Sequence, residues 1–118
     1  TPNPQQLITA ESSLFGQALF LDIDMAVLGK DPKDAYPSYA KCIRREYDHI
    51  PYVPDYCNGR SSVLRHFLDD GTIFCTKLMF DAFETRARSN LLNEIDELRH
   101  KLGPPKDETM LAAQIGEC

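Results

Sequence analysis

Hydrophobic and polar positions recur at helical spacing along nearly the whole chain of 118 residues. β-branched residues are sparse and scattered, and apolar and polar residues do not alternate over any extended run. The pattern therefore predicts an all-α fold of four or five helices. We expect a helical domain over residues 17–103, preceded by an N-terminal segment (1–16). The tail (104–118) is expected to hold a short helix or none.

Two carboxylates interrupt the first predicted helix. Residues 17–28 are apolar on almost every side, which is typical of a helix buried in a domain, and Gly29 is a suitable residue to end it. Asp22 and Asp24 are two residues apart, so they point in roughly opposite directions on a regular helix. Asp24 shares a face with Leu21 and Leu28, and we therefore expect Asp24 to be the buried one.

A carboxylate on a buried face is costly unless it is paired or binds a metal ion. One interpretation makes Asp24 a metal ligand. The other makes Asp24 half of a buried ion pair with an arginine. The sequence pattern leaves both interpretations open.

Three further helical segments are predicted: one that begins after Asp31-Pro32 and runs to about residue 49, one over 54–69, and one over 77–102. The segment over 77–102 is either one long helix or a short turn followed by a longer helix. The last of these ends at Gly103-Pro104-Pro105. Arg60 lies within the apolar stripe of the third helix, and Arg88 shares a face with Glu84. These arginines predict either an internal charge network, with Glu46 and Glu84 as available partners, or an anion-binding wall. The network is the simpler interpretation.

Composition removes several classes of function. The net charge is −5 and Trp is absent, which argues against nonspecific nucleic-acid binding and against a stacking platform for single strands. No apolar run approaches the ~20 residues that span a membrane. Glycine-rich phosphate loops and paired histidines are also missing. The four cysteines form no C-x-x-C pair, so we expect free thiols in a reducing compartment and a cytoplasmic location.

A stretch of this sequence is familiar. Residues 20–29 read F-L-D-I-D-M-A-V-L-G, which resembles the F-L-D-x-D-L-x-x-L-G segment of the predicted metal-dependent HD-superfamily phosphohydrolases. The resemblance continues in order with family-like spacing through Ile43-Arg-Arg-Glu-Tyr47, Gly59-Arg60, Phe83-Glu84, Ala87-Arg88-x-Asn90-Leu91 and Glu94. It covers the C-terminal half of that family.

The resemblance implies an HD-domain-like helical bundle and a divalent metal ion held by His, a His-Asp dipeptide and a later Asp. That later Asp matches Asp24, with Asp22 as the fallback. In the intact enzyme the metal ion activates water against a phosphate ester or nucleotide. The burial pattern, rather than any known family role, makes Arg60 and Arg88 the candidates for holding the phosphate.

This chain departs from the family pattern because it contains no His-Asp dipeptide. Asp48-His49 has the reverse order and follows Asp24 rather than preceding it. A single carboxylate does not hold a catalytic metal. We therefore expect the 118 residues to be inactive alone, with the missing ligands supplied by an upstream segment or another chain. We also expect an exposed apolar surface around residues 17–28. The alternative is a non-catalytic helical interaction module with a buried Asp–Arg network; homo-oligomerisation is left open.

Overall fold

The computed structural model describes residues 6–102, and this part of the chain is all-α. It contains α1 (Phe15–Met25), a 3₁₀ turn (Ala26–Gly29), α2 (Ala35–Glu46), α3 (Val53–Asp69) and α4 (Lys77–Leu102). The prediction of an all-α chain is thus confirmed. The predicted end of α4 at Gly103-Pro104-Pro105, and the tail over 104–118, lie outside the described residues.

The core is built on the antiparallel hairpin of α3 and α4. Arg88 of α4 reaches Leu68 near the end of α3, whereas Glu94 reaches Arg60 a little more than two turns earlier, so the two helices run in opposite directions. Their apolar stripes meet in a single cluster that also takes in residues from the 3₁₀ turn and α2. The buried members are Leu28, Tyr36, Tyr56, Cys57, Leu64, Ile73, Phe74, Ala87, Leu91, Ile95 and Leu98.

The 3₁₀ turn fastens the N-terminal part of the chain to α4. Leu28 is buried, and Asn90 donates hydrogen bonds to the carbonyl oxygens of Leu28 and Lys30, both at 2.9 Å. Gly29 packs so tightly that a Cβ atom there would lie 3.0 Å from Cβ of Phe83. Glycine is therefore required at this position by close approach, and not only as a helix stop.

Most predicted boundaries agree with the structure to within a few residues. α1 begins two residues before the predicted start and changes to 3₁₀ geometry at Ala26. α2 begins at Ala35, so Pro37 lies in the first turn, where its missing N–H breaks no helical hydrogen bond. Across residues 6–102, no helix has the length and apolar character that a bilayer crossing demands.

Candidate functional site

Asp22 is the buried carboxylate of α1. Its side chain is 0% exposed, and it accepts hydrogen bonds from the backbone N–H groups of Cys75 and Thr76, both at 2.8 Å, and from the Thr76 hydroxyl at 2.7 Å. The Thr76 hydroxyl in turn accepts from the N–H of Met79 at 3.1 Å and so caps α4. Asp22 thus ties α1 to the N-terminus of α4, where the helix dipole also favours a negative charge.

The expectation that Asp24 is the buried carboxylate was wrong. Asp24 is exposed, and Asp22 faces the core in its place. The argument failed because α1 is apolar on nearly all sides, so the apolar residues did not identify the inward face. The inward face proves to be narrow, with Ala18 and Asp22 as its fully buried residues.

Asp24 instead lies at the C-terminal end of an exposed apolar surface, which we call the outer face of α1. Residues three and four apart lie together on a helix, so Asp24 adjoins both Phe20 and Leu21. Phe20 is 69% exposed and Leu21 56%, with Ile23 beside them at 60%. Leu14, also exposed, lies on the same side of the helix about two turns before Leu21. The exposed apolar surface expected around residues 17–28 is therefore present.

Arg60 and Glu94 form a buried ion pair between α3 and α4. Arg60 donates through Nε at 2.9 Å and Nη2 at 3.1 Å to the two carboxylate oxygens of Glu94. The Tyr36 hydroxyl donates to Glu94 Oε1 at 2.5 Å, and Arg60 Nη2 also lies 3.4 Å from the Tyr39 hydroxyl. This group of side chains joins α2, α3 and α4. Its two buried charges, those of Arg60 and Glu94, neutralise each other.

The pKa values in this group follow from its geometry. Burial raises the pKa of Tyr36 well above its ordinary value, and the hydrogen bond to the Glu94 carboxylate raises it further, because ionisation would place two negative charges together. Burial alone would lower the pKa of Arg60, but the hydrogen bond and charge of Glu94 outweigh it, so the net change is upward. Tyr36 stays neutral and Arg60 stays charged across the physiological range.

Arg88 forms a second, separate group. It donates from Nε to Glu84 at 2.8 Å, from Nη1 to the Leu68 carbonyl at 3.1 Å, and from Nη2 to the Gly71 carbonyl. Glu84 also accepts from the N–H groups of Ile73 and Phe74 at 2.9–3.1 Å. Arg88 and Glu84 therefore hold the connection between α3 and α4 in place.

The predicted charge network is present, with partners that differ in part from those expected. Glu84 does pair with Arg88, but Arg60 pairs with Glu94, which the sequence argument had not considered. Glu46 is exposed, and Asp24 joins neither arginine. An Asp24–arginine pair is therefore wrong for this structure. Glu94 lies on the same helix face as Asn90 and Leu91, and this spacing could have identified it as a buried carboxylate.

The two arginines do not converge on one anion. Their carboxylate partners lie ten residues apart on α4, which is about 15 Å along the helix axis. All three guanidinium nitrogens of Arg88 are engaged. Within residues 6–102, Arg60 keeps Nη1 without a hydrogen-bond acceptor. The described residues thus provide a structural role for each arginine, and their phosphate-binding role stays a prediction.

The described residues do not form a complete binding site for a divalent metal ion. No three His, Cys, Asp or Glu side chains of residues 6–102 come together as metal ligands. Both carboxylate oxygens of Asp22 already accept hydrogen bonds from Cys75 and Thr76, and Asp24 is a single carboxylate. The residues present do not by themselves fit the metal that the family resemblance implies.

No match to this chain was found among protein-family models, curated proteins or solved structures.

Proposed function

We propose that this chain is the C-terminal portion of an HD-type, metal-dependent phosphohydrolase acting on a phosphate ester or nucleotide, and that it is inactive alone. In this proposal Asp24 supplies one metal ligand, and an upstream segment or another chain supplies the histidines and the His-Asp pair. The observation that carries the proposal is the position of Asp24 beside the exposed Phe20 and Leu21 on the outer face of α1.

The physical argument begins with the exposed apolar side chains of that face. A cluster of large exposed hydrophobic residues is typical of an interaction surface. Once the face is covered, the Asp24 carboxylate loses its water, and this is costly without a nearby positive charge. A metal ion shared with ligands of the covering segment is one such charge.

The buried groups serve this arrangement by fixing α1. Asp22 binds the N-terminus of α4, so Asp24, two residues later, is held on the opposite side of the helix. Asn90 fixes the 3₁₀ turn that follows. A phosphate-binding role of Arg60 and Arg88 stays part of this proposal, but the two would not hold one phosphate together: Arg60 would donate from Nη1, and Arg88 would first have to release one of its present acceptors. The cysteine pattern favours a cytoplasmic location.

The test starts with the protein purified from its natural source under native conditions. Intact-mass analysis and N-terminal sequencing should reveal a longer chain or a second polypeptide that carries the missing ligands. Metal analysis of that assembly should find a divalent ion, and Asp24→Asn should lower the metal content at least tenfold. Asp48→Asn, an exposed carboxylate on the turn after α2, is the matched control and should leave the metal content unchanged. A lone, folded 118-residue species without metal would overturn the proposal.

A second candidate is a non-catalytic helical interaction module. It is favoured by the complete internal pairing of Glu84 and Glu94 and by the three hydrogen bonds to Asp22. In that case the outer face of α1 binds a partner that places a lysine or arginine, rather than a metal ion, against Asp24. One measurement distinguishes the two candidates. Chelation with EDTA should dissociate the assembly or abolish its activity if the first candidate is right, and should leave the assembly intact if the second is right.

A further inference from the structure

A cavity lies between the C-terminal part of α2 and the middle of α3, away from the outer face of α1. It measures about 290 Å³, close to the lower end of the range of about 300–1,000 Å³ for small-molecule sites. Its walls are mostly apolar and aromatic, and are formed by Ile43, Tyr47, Ile50, Tyr56, Gly59 and Val63. Tyr47 and Val63 are substantially exposed, so the cavity opens to solvent.

One wall of this cavity is held rigidly. Arg44 donates hydrogen bonds from Nη1 to the carbonyl oxygens of Tyr47 and Ile50, both at 3.2 Å. Its guanidinium group also lies 4.3 Å from the centre of the Tyr56 ring. A single side chain thus joins the turn after α2 to α3, and the cavity between them does not depend on a loose loop.

Gly59 is unexplained by the fold itself. It lies inside α3, where glycine is less favourable than alanine. Its backbone is not in the left-handed region, and a Cβ atom there would meet nothing within 4 Å. Neither conformation nor helix packing therefore requires glycine at this position. Gly59 is exposed and lines the cavity, where it adds no side chain.

Polar groups stand at two edges of the cavity. Along α3 the residues Asp55, Gly59 and Val63 follow one another at intervals of four, while Arg60 lies on the neighbouring row with Tyr56. The Arg60 side chain is 9% exposed, and its Nη1 has no acceptor among residues 6–102. Because Glu94 already neutralises Arg60, this edge offers a hydrogen-bond donor rather than a net positive charge. The Asp55 carboxylate offers an acceptor at the other edge.

We propose that this cavity binds a small, uncharged, planar ring that carries a carbonyl oxygen and an amino group. The ring contacts the tyrosine and aliphatic walls, the carbonyl oxygen accepts from Arg60, and the amino group donates to Asp55. Full anions are disfavoured because Asp55 repels them and Glu94 has already paired with Arg60. This binding site does not involve Asp24. It uses the Arg60 Nη1 donor that the proposed function assigns to a phosphate, so the two uses of Arg60 are alternatives.

The test uses three one-ring probes and amide NMR spectra of the 118-residue chain. Benzamide carries both polar groups, aniline lacks the carbonyl, and benzoate replaces the amide by an anion. Benzamide should produce saturable shifts at the amides of Gly59 and Val63, with a Kd on the order of 1 mM, as suits so few atoms. Aniline and benzoate should bind at least tenfold more weakly.

Variants at Gly59 separate binding at this cavity from binding elsewhere. Gly59→Leu fills the cavity and should abolish the benzamide shifts, whereas Gly59→Ala should retain binding within about threefold. If circular dichroism shows that Gly59→Leu is unfolded, Val63→Phe closes the cavity from its exposed side and replaces it. The proposal is overturned if benzamide gives no saturable shifts, if the filled variants bind it equally, or if aniline or benzoate binds as well.

Discussion

The two ends of α4 bury carboxylates for different purposes. At the N-terminal end, Glu84 and Asp22 together accept hydrogen bonds from the backbone N–H groups of residues 73, 74, 75 and 76. Toward the C-terminal end, the donors to Glu94 among residues 6–102 are side chains, namely those of Arg60 and Tyr36. The first arrangement fixes the backbone of the connection between α3 and α4, and the second joins the helices to one another through side chains.

The difference shows in what surrounds each carboxylate. The connection between α3 and α4 is filled, and Phe74 at its centre is fully buried. Around Glu94 the helices leave open spaces, including one between α2 and α4 that is lined by Pro37, Arg44 and Glu94. Backbone amides must be satisfied wherever they are buried, and at the N-terminal end Glu84 and Asp22 satisfy those of residues 73–76. Side-chain pairs between helices allow gaps, and binding sites are more readily built there.

Removing Glu84 should give the largest effect. Glu84→Ala leaves the N–H groups of Ile73 and Phe74 without an acceptor and takes the partner from Arg88. We expect the free energy of unfolding to fall by about 4 kcal/mol. Urea denaturation followed by circular dichroism measures this, with the exposed Glu97→Ala on the same helix as control. A loss no larger than the control's would contradict the structural role of the N-terminal end.

The two aspartates of α1 should differ sharply. Asp22→Ala should cost about 3 kcal/mol, because two backbone N–H groups and the Thr76 hydroxyl lose a charged acceptor in a buried place. Asp24→Ala should change the stability of this chain by less than about 0.5 kcal/mol, as befits an exposed residue. Thermal unfolding of both variants decides between them. Equal effects would mean that the inward face of α1 has been assigned incorrectly.

Tyr36 should give the C-terminal end a characteristic dependence on pH. Its pKa is raised above the ordinary 10.0 by burial and by Glu94, so the folded state keeps the proton that the unfolded state releases. The stability that this provides is complete below about pH 10 and declines as the pH rises further. Tyr36→Phe should cost about 1 kcal/mol at pH 8 and make the decline above pH 10 shallower.

Denaturation midpoints at pH 8, 9.5 and 10.5 test this expectation. The pKa of Tyr56 is also raised by burial, so some decline remains in the variant. An unchanged slope in Tyr36→Phe would show that the buried hydroxyl does not govern alkaline stability.

Gly59→Ala should have the smallest effect and the opposite sign. The helix gains the propensity of alanine, the unfolded chain loses freedom, and the added methyl group enters open space. We expect unfolding to become more costly by about 0.5–1 kcal/mol. Urea denaturation beside Ala82→Gly, an exposed position in α4 that should lose a similar amount, measures the pair. If Gly59→Ala were destabilised, the space beside Gly59 would not be open as described.

Much of this architecture could be predicted from the pattern of residues. Helical periodicity located α3 and α4 closely, because long amphipathic helices repeat their signal over several turns. It also placed Arg60 in a buried stripe and Glu84 beside Arg88, since i, i+4 neighbours are visible in sequence. Pro32 before α2 and Gly29 at the end of the 3₁₀ turn marked boundaries to within a few residues through their backbone chemistry.

The candidate site was less accessible. α1 carries apolar residues on nearly every side, so the sequence identified two acidic residues without telling which one faces inward. The acceptor role of Asp22 depends on backbone amides 53 and 54 residues away, and backbone amides leave no mark in a residue pattern. The partnership of Glu94 with Arg60 likewise depends on how α3 and α4 are aligned.

The sequence by itself determined that this chain forms helices, and which apolar stripes and ionisable residues each helix carries, because those properties are local. Only the tertiary structure decided which carboxylate is buried, which arginine it meets, and where space is left between helices. Those outcomes depend on the relative placement of segments far apart in the chain. A rotation of α1 about its own axis, for example, would bury Asp24 and expose Asp22 instead.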